Sequence, residues 1–210
     1  MRRFFSDDSF WNQPLAPDAA VDPQNDHFLE LMAREPGGPL HVNLHRFTIP
    51  VYEVDANTPR RRVYQRPIDP MNERRKNNRW GKSVDDPVWF HHGPGFGENV
   101  PIPPDATPDP ASDAHMAMVD WSTDTAWDTW ACHLREDGEY ESYTGMVYSV
   151  NGTGVWSHTD FPAKDNDSIH FHGPSRAAGV PAIAGLIMFD EVQAGHIAHK
   201  LAFATWHNAS

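Results

Sequence analysis

The chain has 210 residues, of which 39 % are hydrophobic and 22 % charged, and its formal net charge is −12. This composition is typical of a globular protein and argues against disorder, while the acidic balance disfavours nucleic acid and anionic membranes as partners. Nineteen prolines and fourteen glycines interrupt the chain too often for long helices. We expect one β-sandwich domain over residues 1–210.

The first half of the chain predicts one helix followed by a strand. Residues 24–34 place Phe28, Leu31 and Met32 at helical spacing, and Asp26 is the expected N-terminal cap. Residues 45–54 alternate and are rich in β-branched side chains, which predicts a strand. Residues 55–112 form a long loop-rich region, of a kind that is usually functional or disordered in a compact domain.

The second half of the chain predicts strands. The apolar or alternating stretches are 115–121, 143–150, 168–172, 182–189 and 196–206. A tight turn is expected at Asn151-Gly152, and one helical turn or a tight loop over 190–195. Short strands separated by glycine and proline favour an all-β fold, specifically an antiparallel β-sandwich or jelly roll with one short N-terminal helix and long loops.

The single cysteine and the N-terminus bear on the compartment. Cys132 cannot form an intrachain disulfide, so we expect the core to stabilise the domain without a disulfide or a metal. No run of 18 apolar residues exists, and the start MRRFFSDDSFW lacks the apolar stretch of a signal peptide. We expect a secreted or periplasmic protein whose signal peptide is absent from this chain, with a cytoplasmic protein as the alternative.

Positive charge is concentrated between Arg60 and Lys82. This segment contains nine basic and two acidic residues, so it carries +7 and the remaining chain −19. One interpretation is a solvated loop. The other is a cationic rim for an anionic substrate, with Arg60 and Arg62 as binding residues.

His170 and His172 are the most informative pair of histidines. Residues two apart in a strand point to the same face, so both imidazoles would flank one substrate or chelate one metal ion. A His-x-His pair is frequent in metal sites of the cupin type, but the cupin glutamate is missing here, since Gly173-Pro174-Ser175-Arg176 follows. Catalytic histidines, a divalent metal site and two surface histidines all remain open.

Four further residues are candidates for proton transfer, each with a structural alternative. They are His115, His199, Tyr143 and Glu191. The two histidines could instead be hydrogen-bonded core residues, Tyr143 an ordinary strand residue, and Glu191, with Asp190, the cap of a short helix. His92 precedes a glycine-rich stretch that would let a ligand approach the backbone, or that is a plain loop.

The aromatic residues are compatible with a sugar ligand, although some of them are expected in the core. Eight tryptophans are many for this length, and Trp121 and Trp130 lie within ten residues of each other. Exposed aromatic rings stack on sugar rings, so a groove containing these two residues would suit a glycan. Walker, dinucleotide-binding, zinc-type cysteine and G-x-S-x-G motifs are absent.

Three stretches of the chain resemble an uncharacterised group of secreted bacterial proteins. They are FSDDSFWNQPLAPDAAVDP, VPIPPDATPDPASDAHMAMVD and SRAAGVPAIAGLIMFDEVQAGHIAHKLAFA. Members share a W-N-x-P-L segment, a P-I-P-x-D-A segment before an H-x-x-x-V-D strand, and a late D-E-V-x-x-G-x-I-x-H block. The resemblance implies a jelly roll and carbohydrate-related activity. The matching positions are His115, Asp120, Asp190, Glu191 and His199.

These observations together favour a carbohydrate-active enzyme that cleaves a glycosidic bond in a polysaccharide. The histidines and the basic segment favour a lyase on a uronate-containing polymer, acting without a cofactor. The alternatives are a glycoside hydrolase with a carboxylate pair, a cupin-like metalloenzyme with one divalent ion at His170 and His172, and a non-catalytic glycan-binding module. The expected partner is a polysaccharide or oligosaccharide, with neither nucleic acid nor membrane involved.

Overall fold

The computed structural model describes residues 2–34, 42–66, 90–155, 171–172, 175–176 and 178–204. Two short helices and eleven strands lie in this part of the chain. In chain order they are α1 (Asn25–Ala33), β1 (Val51–Glu53), β2 (Arg60–Arg61), β3 (Val63–Gln65), β4 (Phe90–His91), β5 (Val100–Pro101), β6 (Met116–Asp120), β7 (Thr125–Trp130), β8 (His133–Leu134), β9 (Tyr140–Ser142), β10 (Thr144–Ser149), β11 (Phe171–His172) and α2 (Phe189–Ala194). Neither of these helices is long and apolar enough to cross a membrane.

The central sheet has the strand order β1-β6-β7-β10. Strands β6, β7 and β10 are antiparallel neighbours, whereas β1 runs parallel to β6 with Val51 opposite Ala117. All five residues of β6 are buried, so this strand is covered on both faces. A continuous apolar run of this kind is what a doubly covered strand requires.

Two hydrophobic cores lie on opposite faces of this sheet because side chains alternate along each strand. On one face, Met116, Met118 and Trp127 pack with Val63, Ile102 and Tyr140. On the other face, Ala117, Val119 and Ala126 pack with a different set. That set includes Phe5, Trp11, Met146, Tyr148, Val150, Ile183 and Ala184.

Three smaller sheets surround the central one, with strand orders β3-β9-β8, β2-β5 and β11-β4. The prediction of a β-rich chain is confirmed. The sheets are mixed rather than wholly antiparallel, because β1, β3 and β11 each pair in parallel with a strand that is distant in sequence. A parallel pair needs a long connection, and a short hairpin cannot supply it.

Several predicted elements are confirmed at close to their expected bounds. Helix α1 occupies most of 24–34, β6 most of 115–121 and β10 most of 143–150. The strand predicted at 45–54 is reduced to β1. Asp26 lies in the first turn of α1 but is not its cap, because the cap position falls on Gln24, which makes no side-chain capping bond.

Two predicted strands are wrong. Residues 182–189 form a turn followed by the start of α2, and 196–204 are irregular. The apolar run from Ala182 to Ala184 is buried in the turn itself, where the Ala184 amide bonds to the Pro181 carbonyl at 3.1 Å. Gly185, at φ +64°, then redirects the chain into a path that an extended strand does not follow.

Asp109 links two loops that carry no regular structure of their own. Its carboxylate accepts hydrogen bonds from the amides of Phe47 and Thr48 at 3.0 and 2.9 Å and from the Thr48 hydroxyl at 2.6 Å. The amide of Ala111 donates to it at 2.8 Å. Burial alone would raise the pKa of Asp109, but these hydrogen bonds outweigh it and lower the pKa.

Replacing Asp109 by Ala should therefore destabilise the protein. The change removes the acceptor of the Phe47, Thr48 and Ala111 amides, of which that of Ala111 is buried. We expect the free energy of unfolding to fall by about 3 kcal/mol, measured by urea denaturation at neutral pH. Because the pKa of Asp109 is lowered in the folded protein, its contribution is present above the unfolded value of 3.8 and is lost as the pH falls through the folded value. Asp105→Ala, at an exposed position nearby, is the matched control, and equal effects of the two changes would contradict the role given to Asp109.

Candidate functional site

A cavity of about 580 Å³ lies where the N-terminal segment meets α2 and the residues that follow it. Its wall contains two of the residues predicted to transfer protons, Glu191 and His199. The other lining residues are Arg2, Arg3, Phe4, Phe5, Asp7, Trp11, Asn12, Asn151, Ile183, Gly185, Met188 and Ala198. The cavity therefore combines apolar walls with several charged and polar groups, as ligand sites do.

Glu191 is held in the cavity wall by the start of α2. Met188, in an extended conformation, precedes the helix, and its amide donates to Glu191 Oε2 at 2.9 Å. The helix ends at Gly195, whose φ of +64° suits glycine. The expected short helix is present, and Glu191 helps to cap it from the third helical position, but the cap residue is Met188 and Asp190 lies within the first turn. The Glu191 carboxylate is only 6 % exposed and has a second partner in the wall.

That second partner is His199. Its Nε2 lies 3.0 Å from Glu191 Oε1, and its Nδ1 lies 2.8 Å from the Lys200 carbonyl oxygen. Both ring nitrogens therefore face acceptors. Which ring nitrogen donates depends on the tautomer, so the imidazole can bond to the Glu191 carboxylate, to the Lys200 carbonyl, or to both. The pair thus places two groups capable of proton transfer at the edge of the cavity.

Backbone contacts fix the position of the His199 segment. The amide of Lys200 donates to the Trp11 carbonyl at 2.8 Å, and the amide of Ala202 donates to the Gly185 carbonyl at 3.2 Å. A Cβ at Gly185 would lie 2.3 Å from the Ala202 backbone nitrogen. Glycine is therefore required where these two segments meet.

The N-terminal segment forms the facing wall. The Trp11 indole nitrogen donates to the Gly154 carbonyl at 2.9 Å. Asn12 is 8 % exposed, and its Nδ2 donates to the carbonyls of Phe4, Phe5 and Ser6 at 2.8, 3.1 and 3.0 Å. One asparagine thus organises a turn of the chain beside the cavity, and its buried Oδ1 has no hydrogen-bond partner among the described residues.

The charged lining residues balance one another in a protein whose net charge is −12. Arg2 and Arg3 face Asp7 and Glu191, so the formal charge of the lining is zero with histidine counted as neutral. Arg3 pairs with Asp7, while Arg2 lies 3.8 Å from Glu53 in an exposed pair. The cavity is therefore less negative than the protein as a whole, which favours an anionic ligand there.

Trp121, predicted to bind substrate, lies next to this cavity. Its ring stacks on Phe4 with 5.5 Å between centroids, and the Arg2 guanidinium lies over it at 5.4 Å. Both of those residues line the cavity. Trp121 also donates from its indole nitrogen to Glu53 at 3.1 Å.

His115, Tyr143 and Trp130 lie away from the cavity. His115 is half-buried just before β6, with Nδ1 3.2 Å from the Thr129 carbonyl, and burial lowers its pKa although nearby Asp113 opposes the shift. Tyr143 packs against Trp130 with 5.6 Å between ring centroids, and Arg66 lies over the Tyr143 ring at 4.7 Å. The structure thus separates these residues from Glu191 and His199.

The remaining predicted binding residues also lie outside the cavity. Arg60 lies over the Trp127 ring at 5.7 Å, and Arg62 pairs with Glu98 at 3.0 Å. His92 contacts the Ser142 hydroxyl through Nε2 at 2.9 Å. Arg60, Arg62 and Arg66 therefore contact nearby aromatic or acidic side chains, and residues 67–82 of the basic segment lie outside the described part.

The proposed histidine pair falls mostly outside the described residues. His170 lies outside them, and for His172 only the backbone is described, as the end of β11. Within the ranges that the structure describes, no group of three or more His, Cys, Asp or Glu residues could hold a metal ion. The metal interpretation of His170 and His172 remains a hypothesis.

The sequence pattern does not mark three of the cavity residues, Arg2, Arg3 and Asn12, as site residues. The two arginines lie in the N-terminal stretch, and Asn12 lies in the W-N-x-P-L segment. That segment is the available signal, because an asparagine after a buried tryptophan in an irregular stretch is well suited to hydrogen-bond the surrounding backbone.

Comparisons with known proteins find no relative of this chain. No protein-family model matches it, and no curated protein or solved structure matches it either. The function is therefore argued from the geometry of the cavity.

Removing the His199 side chain should destabilise the protein, because Glu191 would keep a buried carboxylate without its imidazole partner. We expect His199→Ala to lower the free energy of unfolding by about 1–3 kcal/mol in chemical denaturation. His196→Ala, on an exposed residue of the same segment, should have little effect. Equal stability of the two variants would show that the pair contributes nothing to the fold.

Proposed function

We propose that this chain is a carbohydrate-active enzyme that cleaves a glycosidic bond in a uronate-containing polysaccharide at the cavity described above. The observation that carries the proposal is the buried Glu191–His199 pair in the wall of a cavity whose lining includes two arginines. The resemblance of the D-E-V-x-x-G-x-I-x-H block to the carbohydrate-related group supports the same conclusion, because this block contains both residues.

Elimination requires a base for the proton next to the substrate carboxylate and cations that neutralise that carboxylate. In the proposal, Arg2 and Arg3 bind the carboxylate, and the Glu191–His199 pair moves the proton. The electrons of the broken C–H bond form the new double bond, the glycosidic C–O bond breaks, and the leaving oxygen takes a proton from the pair or from water.

Hydrolysis is the second candidate, since Asp7 and Glu191 line the same cavity. Asp7 is exposed and Glu191 is buried, so the two carboxylates differ in environment, as the acid and the base of a glycosidase do. A non-catalytic glycan-binding module and a cupin-like metalloenzyme are the remaining alternatives, and the assays below separate them from the lyase.

Two finer features of the fold and location are part of the proposal. We propose that the sheets form a sandwich of jelly-roll type, which the two cores on opposite faces of the central sheet support. We also propose that the protein is secreted or periplasmic, since polymeric substrates are degraded outside the cytoplasm.

The decisive experiment measures products from acidic polysaccharides. We expect new reducing ends together with the ultraviolet absorbance of an unsaturated uronate, and Glu191→Gln should lower kcat by about 10²-fold or more. Asp190→Asn, an exposed neighbour on the same helix, is the matched control and should keep full activity.

Each of the other outcomes would indicate a different function for this protein. Reducing ends without the absorbance would indicate hydrolysis, and glycan binding without cleavage would indicate a binding module. Activity that disappears with a chelator and returns with a divalent ion would favour the metalloenzyme. An active Glu191→Gln variant would place catalysis elsewhere.

Arginine variants test where an anionic polymer is bound. Replacing Arg60, Arg61 and Arg62 by Gln should raise KM for an acidic polysaccharide and leave Tm nearly unchanged, because exposed ion pairs each contribute only about 0–1 kcal/mol. Added salt should mimic the change, since screening acts over about 8 Å in physiological salt. The effect of Arg2→Gln on KM tests separately whether the polymer binds in the cavity, which Arg2 lines.

If KM responds neither to these substitutions nor to salt, the uronate proposal is wrong and a neutral glycan is the better candidate. A response to Arg2→Gln alone would restrict binding to the cavity.

A further inference from the structure

Ala182 is held at both of its backbone polar groups by buried side chains. Its amide donates to Asp128 Oδ2 at 2.6 Å, and its carbonyl accepts from Arg176 Nη2 at 2.8 Å. We call these two hydrogen bonds the Ala182 clamp. The next residue, Ile183, and then Gly185 line the cavity. The clamp therefore fixes the position of one cavity wall.

Asp128 itself lies on β7, with no exposed surface. Tyr148 on β10 and Arg176 both interact electrostatically with Asp128, and His115, just before β6, interacts with Arg176. The Tyr148 hydroxyl donates to Asp128 Oδ2 at 3.2 Å. Burial lowers the pKa of Arg176, and the Asp128 carboxylate opposes that shift.

Burial raises the pKa of Asp128 from 3.8 to about 6, although the Ala182 amide and the Tyr148 hydroxyl act in the opposite direction. Moving the wall away from the sheet would hydrate this carboxyl and return its pKa toward 3.8. The closed wall therefore binds the proton more tightly than an open wall. Closure is favoured in mildly acidic solution and weakens as the pH rises toward and through 6.

We propose that Asp128 is a positioning residue for the cavity, and that the Ala182 clamp holds the wall closed when Asp128 is protonated and loosens when it is ionised. A loosened wall admits ligand more readily. The consequence for catalysis rests on the proposed function of the cavity. The movement of the wall does not, because it depends only on the contacts of Asp128, Arg176 and Ala182.

The test is amide hydrogen exchange of the ligand-free protein, followed by NMR. After correction for the intrinsic pH dependence of exchange, protection at Ala182, Ile183 and Ala184 should fall about tenfold between pH 5 and pH 7.5. The amides of Met118 and Val119, in the central sheet, report on global unfolding and should change less. A parallel loss at both places would mean that Asp128 acts on the whole fold, which would overturn the proposal.

Two variants sharpen the test. Asp128→Asn keeps an acceptor for the Ala182 amide but cannot ionise, so protection of the wall should vary less than twofold over the same range. Tyr148→Phe removes a donor that favours the ionised carboxyl and so raises the pKa of Asp128 further in the closed wall, so loosening should continue to a higher pH. A wall whose exchange in the native chain is independent of pH would also overturn the proposal, whichever variant folds.

The outcomes separate this proposal from the proposed function. If the wall loosens as the pH rises but the protein cleaves no glycan, the role of Asp128 stands and the proposed enzymatic function is wrong. If activity depends on Glu191 but the wall stays rigid, the proposed function stands and the role of Asp128 is wrong.

Discussion

Burial of β6 on both faces is the constraint on which the rest of the structure depends. A strand with five buried residues needs two covers, and the chain supplies them from widely separated segments. One cover comes from β3, β9 and the residues around Ile102. The other comes from the N-terminal segment and residues 180–186. The cavity lies beside this second cover, because the N-terminal segment and residues 183–188 also form its walls.

The elements that could be predicted are those in which local pattern and tertiary environment agree. Helix α1 and strands β6 and β10 have the expected periodicity and lie close to the expected bounds. Strand β7 was missed because its sequence, TAWDTW, places Asp128 and Thr129 at buried positions where a pattern of apolar residues is normally sought. The apolar run 182–189 was wrongly predicted as a strand, since hydrophobic residues in a buried turn have the same composition as a strand.

The residues of the candidate site also fall into two groups, those that the sequence can reveal and those that only the fold brings together. Glu191 and His199 could be found from the chain because they lie eight residues apart in one specific block. The arginines and Asn12 reach the same cavity from the other end of the chain, and nothing in local spacing connects them to α2. Their proximity depends on the hydrogen bonds of Trp11 to Gly154 and to Lys200, which only the folded chain reveals.

The parallel pairing of β1 with β6 has a kinetic consequence. Val51 lies opposite Ala117, so this contact closes a loop of 66 residues before it contributes any stability. The hairpin of β6 and β7 closes a far shorter loop and can form early, whereas β1 must wait until the intervening chain has been arranged. We expect the slow pairing of β1 with β6 to limit the refolding rate. Until β1 is in place, the outer edge of β6 presents unpaired backbone groups to other chains, which makes this edge the place where self-association during folding would begin.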